Sequence, residues 1–390
     1  MIMNRIPYGR QDISQADIDA VTDVLRSDYL TQGPTVPAFE GAVAKLSDVK
    51  YAVAVNSATS ALHIACLALE VGKGDIVWTS PITFVASANC ALYCGATVDF
   101  VDIDPKTYNL SSERLAAKLA HAKKSGTLPK VVIPVHLCGQ SCDMAVIHEL
   151  SRQYGFKVIE DASHAIGGKY QNEPIGNCQY SDITVFSFHP VKIITTGEGG
   201  IALTNDPQLA KQLNLLRSHG ITRSPDEMLS ESEGPWYYEQ IMLGFNYRMT
   251  DIQAALGLSQ LKRIEEFLLK RHKFAQRYDK LLADLPLQTP WQNVQSYSAY
   301  HLYVIRVDFA RVTKTKAEVF KELHALGVQV NLHYIPVYHQ PYYQNKGFKL
   351  DYCPEAELYY AEALSLPMYP SMSEAQQDYV ISSLKGVLLR

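Results

Sequence analysis

The amino-acid sequence predicts an α/β protein: a large domain on a mostly parallel seven-stranded sheet covered by helices, plus a smaller α+β C-terminal domain. Three observations lead there. At 390 residues the chain exceeds what one compact core organises, so two domains are expected, over 1–250 and 251–390, with the N-terminal segment free to pack on the small one. The strands read as near-continuous apolar runs, the mark of strands covered on both faces. Helical stretches separate them, as the right-handed crossovers of a parallel sheet require.

The elements follow in order. Ser14 and Asp17 have capping-box spacing ahead of Ile18, Val21, Val24 and Leu25, which starts a helix. Leu30-Thr31-Gln32-Gly33-Pro34 is a loop by its Gly-Pro punctuation. Residues 51–55 read as a strand, and 59–70 as a helix with Leu62, Ala65 and Leu69 on one side. A strand over 75–78, a helix of small residues over 84–93 and a strand over 98–101 come next. Further strands are expected over 131–136, 157–161, 183–187 and 201–204. The polar segment 224–239 carries Pro235-Trp236-Tyr237-Tyr238 and reads as an active-site loop. One long helix is expected over 251–284 from Ile252, Ala255, Leu258, Leu261 and Ile264. In the smaller domain, 302–307 and 328–332 read as strands, 316–326 as a helix and 373–389 as the closing helix.

Composition narrows the function classes. A net charge of −4, with basic residues scattered, gives no broad field for nucleic acid or an anionic membrane. No run is long and apolar enough to span a bilayer, and residues 1–7 hold no apolar signal core. The cysteines (Cys66, Cys90, Cys94, Cys138, Cys142, Cys178 and Cys353) are odd in number and fit no disulfide framework. A reducing, cytoplasmic home is expected. His136, Cys138 and Cys142 lack a partner cluster with ligand spacing, so no metal is expected.

Four segments carry chemistry. Lys192 follows the strand Val185-Phe186-Ser187-Phe188 and a His189-Pro190 turn, ahead of Gly197, Gly199 and Gly200. A lysine so placed can hold an aldehyde cofactor as a Schiff base, with the Ser187 hydroxyl on that cofactor's phosphate. Asn56-Ser57-Ala58-Thr59-Ser60 is a strand-to-helix turn whose first amides welcome an anion, although alone it reads as an ordinary helix cap. Asp161 ends an apolar strand, where ligands bind in open α/β sheets, and can pair with a pyridine nitrogen. A second helix cap would explain it equally well. Phe84 can stack on a ring face and His164 can reach a ring hydroxyl, although a core phenylalanine and a locally satisfied histidine fit those residues too.

The order and spacing of these segments resemble the fold-type I pyridoxal-phosphate enzymes. More narrowly, the chain resembles the nucleotide-sugar aminotransferases of the DegT/DnrJ/EryC1/StrS family, from Pro7 to about Pro370. The marks are the Leu30–Pro34 loop, Asn56–Leu62, Glu160-Asp161-Ala162-Ser163-His164-Ala165, Ser187–Lys192 and Gly244-Phe245-Asn246-Tyr247-Arg248-Met249-Thr250-Asp251. The resemblance implies that Lys192 binds the cofactor covalently, Asp161 pairs with its ring nitrogen, Phe84 stacks on the ring and His164 lies by the ring hydroxyl. Ala58, Thr59 and Ser187 would hold the phosphate. Asn246 would reach the neighbouring subunit's phosphate, making a homodimer with shared sites. Pyridoxamine phosphate would form in the half-reaction.

Trp236-Tyr237-Tyr238 and His333-Tyr334-Ile335-Pro336-Val337 add a likeness to the family's branch in pseudaminic acid synthesis. It implies L-glutamate as donor, 2-oxoglutarate as by-product and a UDP-linked 4-keto sugar as acceptor. Tyr8, Thr31, Arg248, His333 and Tyr334 are the candidates to hold that sugar, although each could merely pack or cap. A sister branch that dehydrates sugars carries histidine where Lys192 stands, which argues against that chemistry here. An aminotransferase acting on a different nucleotide-linked keto sugar would share much of this pattern. A non-catalytic amino-sugar sensor could keep the same fold.

Overall fold

The computed structural model describes residues 5–389; part of the opening stretch read above for a signal lies outside them. Helix α1 (Gln15–Leu25) starts on the expected capping box, with the Ser14 hydroxyl and the Asp17 carboxylate closing it from both sides. Helix α2 (Thr35–Ser47) leads to β1 (Tyr51–Val55), α3 (Ala58–Ala68), β2 (Ile76–Thr79), α4 (Ala86–Tyr93) and β3 (Thr97–Phe100). Then come α5 (Ser112–Ser125), β4 (Val131–Ile133), α6 (Met144–Tyr154) and β5 (Lys157–Asp161). A small ribbon of β6 (Lys169–Tyr170) and β7 (Glu173–Pro174) precedes β8 (Ile183–Ser187), β9 (Gly200–Thr204) and α7 (Pro207–Arg217).

These strands form one seven-stranded sheet in the order β1-β9-β8-β5-β4-β2-β3. The pairs from β8 through β5, β4 and β2 to β3 are parallel, while β9 runs antiparallel to both β8 and β1. The expected mostly parallel sheet is therefore present. Ile183–Ser187 is buried at every position, as its apolar run requires. Strand β4 stops at Ile133, short of the expected His136, because Pro134 has no N–H to continue the ladder.

After β10 (Ile221–Thr222) and β11 (Glu239–Gln240), the expected long helix is instead two: α8 (Asp251–Leu261) and α9 (Ile264–Leu282). The break at Lys262–Arg263 has a cause. The Gln260 amide donates to Asp12 O and to the Asp17 carboxylate, and Arg263 pairs with Asp12, so the end of α8 is tied to the start of α1.

Beyond β12 (Leu287–Gln288) and β13 (Ser296–Tyr297), a second three-stranded sheet orders β12-β14-β15, with β14 at Tyr303–Val307 and β15 at Ala363–Leu366. Helices α10 (Lys316–Ala325) and α13 (Glu374–Leu388) and the outer part of α9 share its core, which includes Tyr278, Ile305, Val319, Leu364 and Leu384, and the short α11 (Pro341–Gln344) and α12 (Pro354–Glu362) lie between α10 and α13 in sequence. Ile6 packs in that core and pairs with Val328. The strand expected over 328–332 is not formed. Only isolated bridges, Ile6 to Val328 and Asn331 to Ser365, hold that segment, which leaves His333 and Tyr334 free to turn toward the large sheet.

Candidate active site

A cavity of about 480 Å³ opens at the carboxyl ends of β5 and β8, the place where ligands bind in open α/β sheets. Its floor begins at α3. Ser57 caps this helix by accepting from Ser60 N at 3.1 Å, and the Ser60 hydroxyl donates to Asn56 Oδ1 at 2.7 Å. The amides of Ala58 and Thr59 have no partner among the described residues, so they present an anion site at the positive end of the helix. Gly200 makes the approach close. It lies across from both Val55 and Ser187 in the sheet, and a Cβ there would stand 2.5 Å from Ala58 N. Only glycine lets the helix tip settle beside the Ser187 hydroxyl.

Asp161 ends β5 and is 5 % exposed. Its carboxylate accepts from the Ser87 hydroxyl at 2.6 Å on one oxygen and from the Ser163 hydroxyl at 2.6 Å on the other. Lys192 also faces the cavity, on the loop between β8 and β9. Desolvation pulls its ammonium down to about 8, against the opposing pull of Asp161. A lysine so tuned holds roughly a tenth of its population as free amine at neutral pH and becomes mostly free amine above about pH 8, far more than an ordinary lysine.

The facing wall comes from the C-terminal half. His164 Nδ1 accepts from Cys138 N at 3.2 Å, and its Nε2 lies 3.3 Å from the Tyr334 hydroxyl. Burial, Lys192 and His333 hold His164 well below the ordinary histidine range, so it stays neutral. Its Nδ1 is an acceptor, so the proton belongs on Nε2. His333 pairs with the Ser365 hydroxyl at 2.7 Å, and burial beside Lys192 lowers it to about 3. Tyr8 packs on His333 with ring centroids 5.0 Å apart.

Of the residues singled out in the sequence, Lys192, Asp161, His164, Ala58, Thr59, Phe84, Ser187, Tyr8, His333 and Tyr334 all line this one cavity. Thr31, Asn246 and Arg248 do not. Thr31 bridges to Thr250, Arg248 bridges to Val55 and bonds the Ser218 hydroxyl, and Asn246 bridges to Ser218, on a neighbouring face. The segment 224–239 also stays away from the cavity wall, with Trp236 70 % exposed. Sequence reasoning passed over Ser87, His301 and Asn331, and it quoted Ser163 only within a motif, without a role. A serine three residues beyond Phe84 on a small-residue helix was the available hint for Ser87.

His136 and Cys142 point elsewhere. His136 pairs with Glu160 at 2.7 Å behind the sheet, and Cys142 N donates to its other nitrogen. Among the described residues no three His, Cys, Asp or Glu stand together as metal ligands, and no helix is long and apolar enough to cross a membrane.

Residues 11–385 match the DegT/DnrJ/EryC1/StrS aminotransferase family. The chain belongs to that family. It is a pyridoxal-phosphate-dependent sugar aminotransferase. The aminotransferase is 40 % identical to the spore coat polysaccharide biosynthesis protein SpsC of Bacillus subtilis, over 98 % of this chain and 97 % of that one. It is 37 % identical to the UDP-4-amino-4,6-dideoxy-N-acetyl-beta-L-altrosamine transaminase of Campylobacter jejuni, with the same coverage. Among solved structures, Helicobacter pylori PseC, an aminotransferase of pseudaminic acid biosynthesis, superposes with a TM-score of 0.90 at 31 % identity, covering 99 % of this chain and all of that one. The sugar aminotransferase Spr1654 of Streptococcus pneumoniae has been solved in pyridoxamine-phosphate and pyridoxal-phosphate forms. They superpose on the aminotransferase with TM-scores of 0.88 and 0.87 at 30 % and 31 % identity, over 98 % and 99 % of this chain and 99 % of each of theirs.

Proposed function

We propose that the enzyme moves an amino group from L-glutamate to C4 of UDP-2-acetamido-2,6-dideoxy-β-L-arabino-hex-4-ulose. The products are UDP-4-amino-4,6-dideoxy-N-acetyl-β-L-altrosamine and 2-oxoglutarate. The observation that carries the reading is one cavity wall joining the two unpaired amides of α3, the buried Asp161 carboxylate and the Lys192 amine. The Campylobacter and Helicobacter relatives support the sugar.

The wall fits the cofactor's groups: an anion site at Ala58 and Thr59 beside Ser187, a carboxylate for a ring nitrogen, an aromatic face at Phe84 and a histidine N–H at His164 for a ring hydroxyl. Pyridoxal phosphate, when bound, supplies an electron sink and a carrier for the amino group. The chain's own residues do the rest. Ser87 and Ser163 aim the Asp161 carboxylate, which keeps a proton on the ring nitrogen opposite. Lys192 Nζ holds the cofactor, then takes the proton from the α-carbon of glutamate and later returns one to C4 of the sugar. His164 donates from Nε2 while remaining neutral. Tyr8, His333 and Tyr334 face the acceptor. Thr31, Asn246 and Arg248 act across the interface of a cytoplasmic homodimer, in the cavity of the second copy. No nucleic acid or membrane takes part.

The test is the cofactor's visible absorbance. Glutamate should bleach it, and the UDP-linked 4-keto sugar should restore it. Bleaching without recovery keeps the aminotransferase and rejects this acceptor. The 40 % identity to a spore coat polysaccharide protein favours, as second reading, another nucleotide-linked keto sugar. Recovery with such a sugar alone would select it.

A further inference from the structure

We propose that His301 binds a carboxylate of the amino donor. The inference rests on the aminotransferase reading above and extends it to a residue with no role so far. His301 lines the cavity, yet is only 4 % exposed. Its ring lies 4.4 Å from that of His164, centroid to centroid. One turn holds both: Cys138 N donates to His164, and Cys138 O accepts from His301 N at 2.8 Å. Cys138 itself has φ of 61°, so the turn is built against backbone preference.

The His301 side chain is unpartnered. Its Nδ1 is buried with no hydrogen bond, and its other ring nitrogen has no partner among the described residues. A buried polar group left unpaired costs stability and points to a ligand. Its ring neighbours on this wall do have partners: His333 pairs with Ser365, and the Tyr334 hydroxyl lies against His164 Nε2.

The charge behind His301 sets the ligand's sign. Arg271, 1 % exposed, donates from Nη1 to the carbonyls of Tyr300 at 3.2 Å, His301 at 3.0 Å and Met368 at 3.3 Å. Its Nε is unpaired, and among the described residues no carboxylate forms an ion pair with it. Burial lowers it only to about 10, so it remains a cation at neutral pH. Within one copy the described lining of the cavity holds no arginine, Arg248 being assigned to the cavity of the second copy, and its carboxylates are Asp161, already bonded twice, and Glu198. An anion beside His301 would meet an imidazole donor with an uncompensated guanidinium behind it.

Chemistry says which anion. His164 would lie by the cofactor's ring hydroxyl, with His301 beside it, and that hydroxyl neighbours the ring carbon whose exocyclic carbon would carry the amino group. A donor amino acid there turns its carboxylate toward the same side. His301 is held neutral by burial and by the nearby His164, Lys192 and Arg271, so it can donate a hydrogen bond without repelling Lys192.

The probe is maleate, a dicarboxylate that cannot react, titrated calorimetrically into cofactor-loaded wild type, His301→Gln and His301→Phe. The Phe variant should bind it roughly 10- to 100-fold more weakly, the loss of one hydrogen bond to a charged group. The Gln variant, which keeps a donor, should recover most of that. KM for L-glutamate should rise in parallel, with a smaller fall in kcat and an unchanged cofactor spectrum. Unchanged maleate affinity in the Phe variant overturns the proposal, as does wild type that binds no maleate. Equal losses in both variants with an altered spectrum overturn it too, by making His301 a prop for His164. If the Phe variant does not fold, His301→Ala carries the same expectation. Bleaching of wild type by glutamate is read separately, so failure of the aminotransferase reading would be seen on its own.

Discussion

The two walls of the cavity are built on opposite plans. The sheet wall, from α3, β5 and β8, is made of short contiguous segments. Its side chains are tied largely within a few residues, as Asp161 is to Ser163 and Ser57 to Ser60, with Ser87 on Asp161 as the long-range tie. The facing wall gathers Tyr8, His164, His301, His333 and Tyr334 from distant parts of the chain. Its histidines are buried and neutral, and one of them is unpaired. The first wall suits a ligand that never changes; the second suits substrates that must come and go. Local bonding fixes a group cheaply, whereas an unpaired buried donor keeps its energy for whatever enters.

This contrast can be broken by mutation. Lys192→Ala should abolish turnover, by at least roughly ten-thousand-fold, in a protein that still retains pyridoxamine phosphate, checked by steady-state assay and absorbance. Normal turnover would end the assignment. Asp161→Ala should slow glutamate bleaching on the order of 100- to 1,000-fold in stopped flow, the scale of one lost electrostatic contact. Gly200→Ala should weaken cofactor binding by roughly 10- to 100-fold, since its methyl would crowd Ala58 N. Fluorescence titration of cofactor into cofactor-free protein reads this, and wild-type affinity would show that the α3 tip is not the anion site.

On the facing wall, Arg271→Met strands three buried carbonyls. It should cost about 2–4 kcal/mol in denaturant unfolding and raise KM for glutamate more than it alters cofactor affinity. A mutant that loses cofactor first would erase the distinction between the walls. The mildest test is pH. Lys192 is depressed from its ordinary value to about 8, so it is protonated and unreactive below that and a free amine above. Reconstitution of cofactor-free protein should therefore accelerate as pH rises through about 8, then level off.

Sequence patterns reached the first wall far better than the second. Ala58, Thr59, Asp161 and Ser187 each stand at a strand end or helix start, where apolar runs and caps mark the boundary, and Lys192 follows β8 by a His-Pro turn. His301 stands one residue ahead of the run read as a strand, and nothing local marks it. Arg271 did leave a trace: it falls with Phe267, Phe274 and Tyr278 on the buried face of α9, a charge where the period calls for an apolar residue. The apparent single helix over 251–284 hid the break at Arg263, because its cause is Asp12, far away in sequence. Likewise 328–332 has a strand's composition but only isolated partners, and composition carries no record of partners.

The reversed strand β9 has one more effect. A parallel neighbour to β8 would need a crossover of about a dozen residues or more, carried over the sheet face. The antiparallel return instead closes the Lys192 loop at its base, where Phe188 N donates to Gly199 O and Thr196 N to Phe188 O. The lysine thus sits on a loop closed at its base on both sides of Phe188. Its amine would swing on its own four-carbon stem and meet a bound ring from the side on which the loop is pinned. Handedness in the product would then be a property of the weave: one strand laid backwards would decide which side of a flat molecule meets the proton.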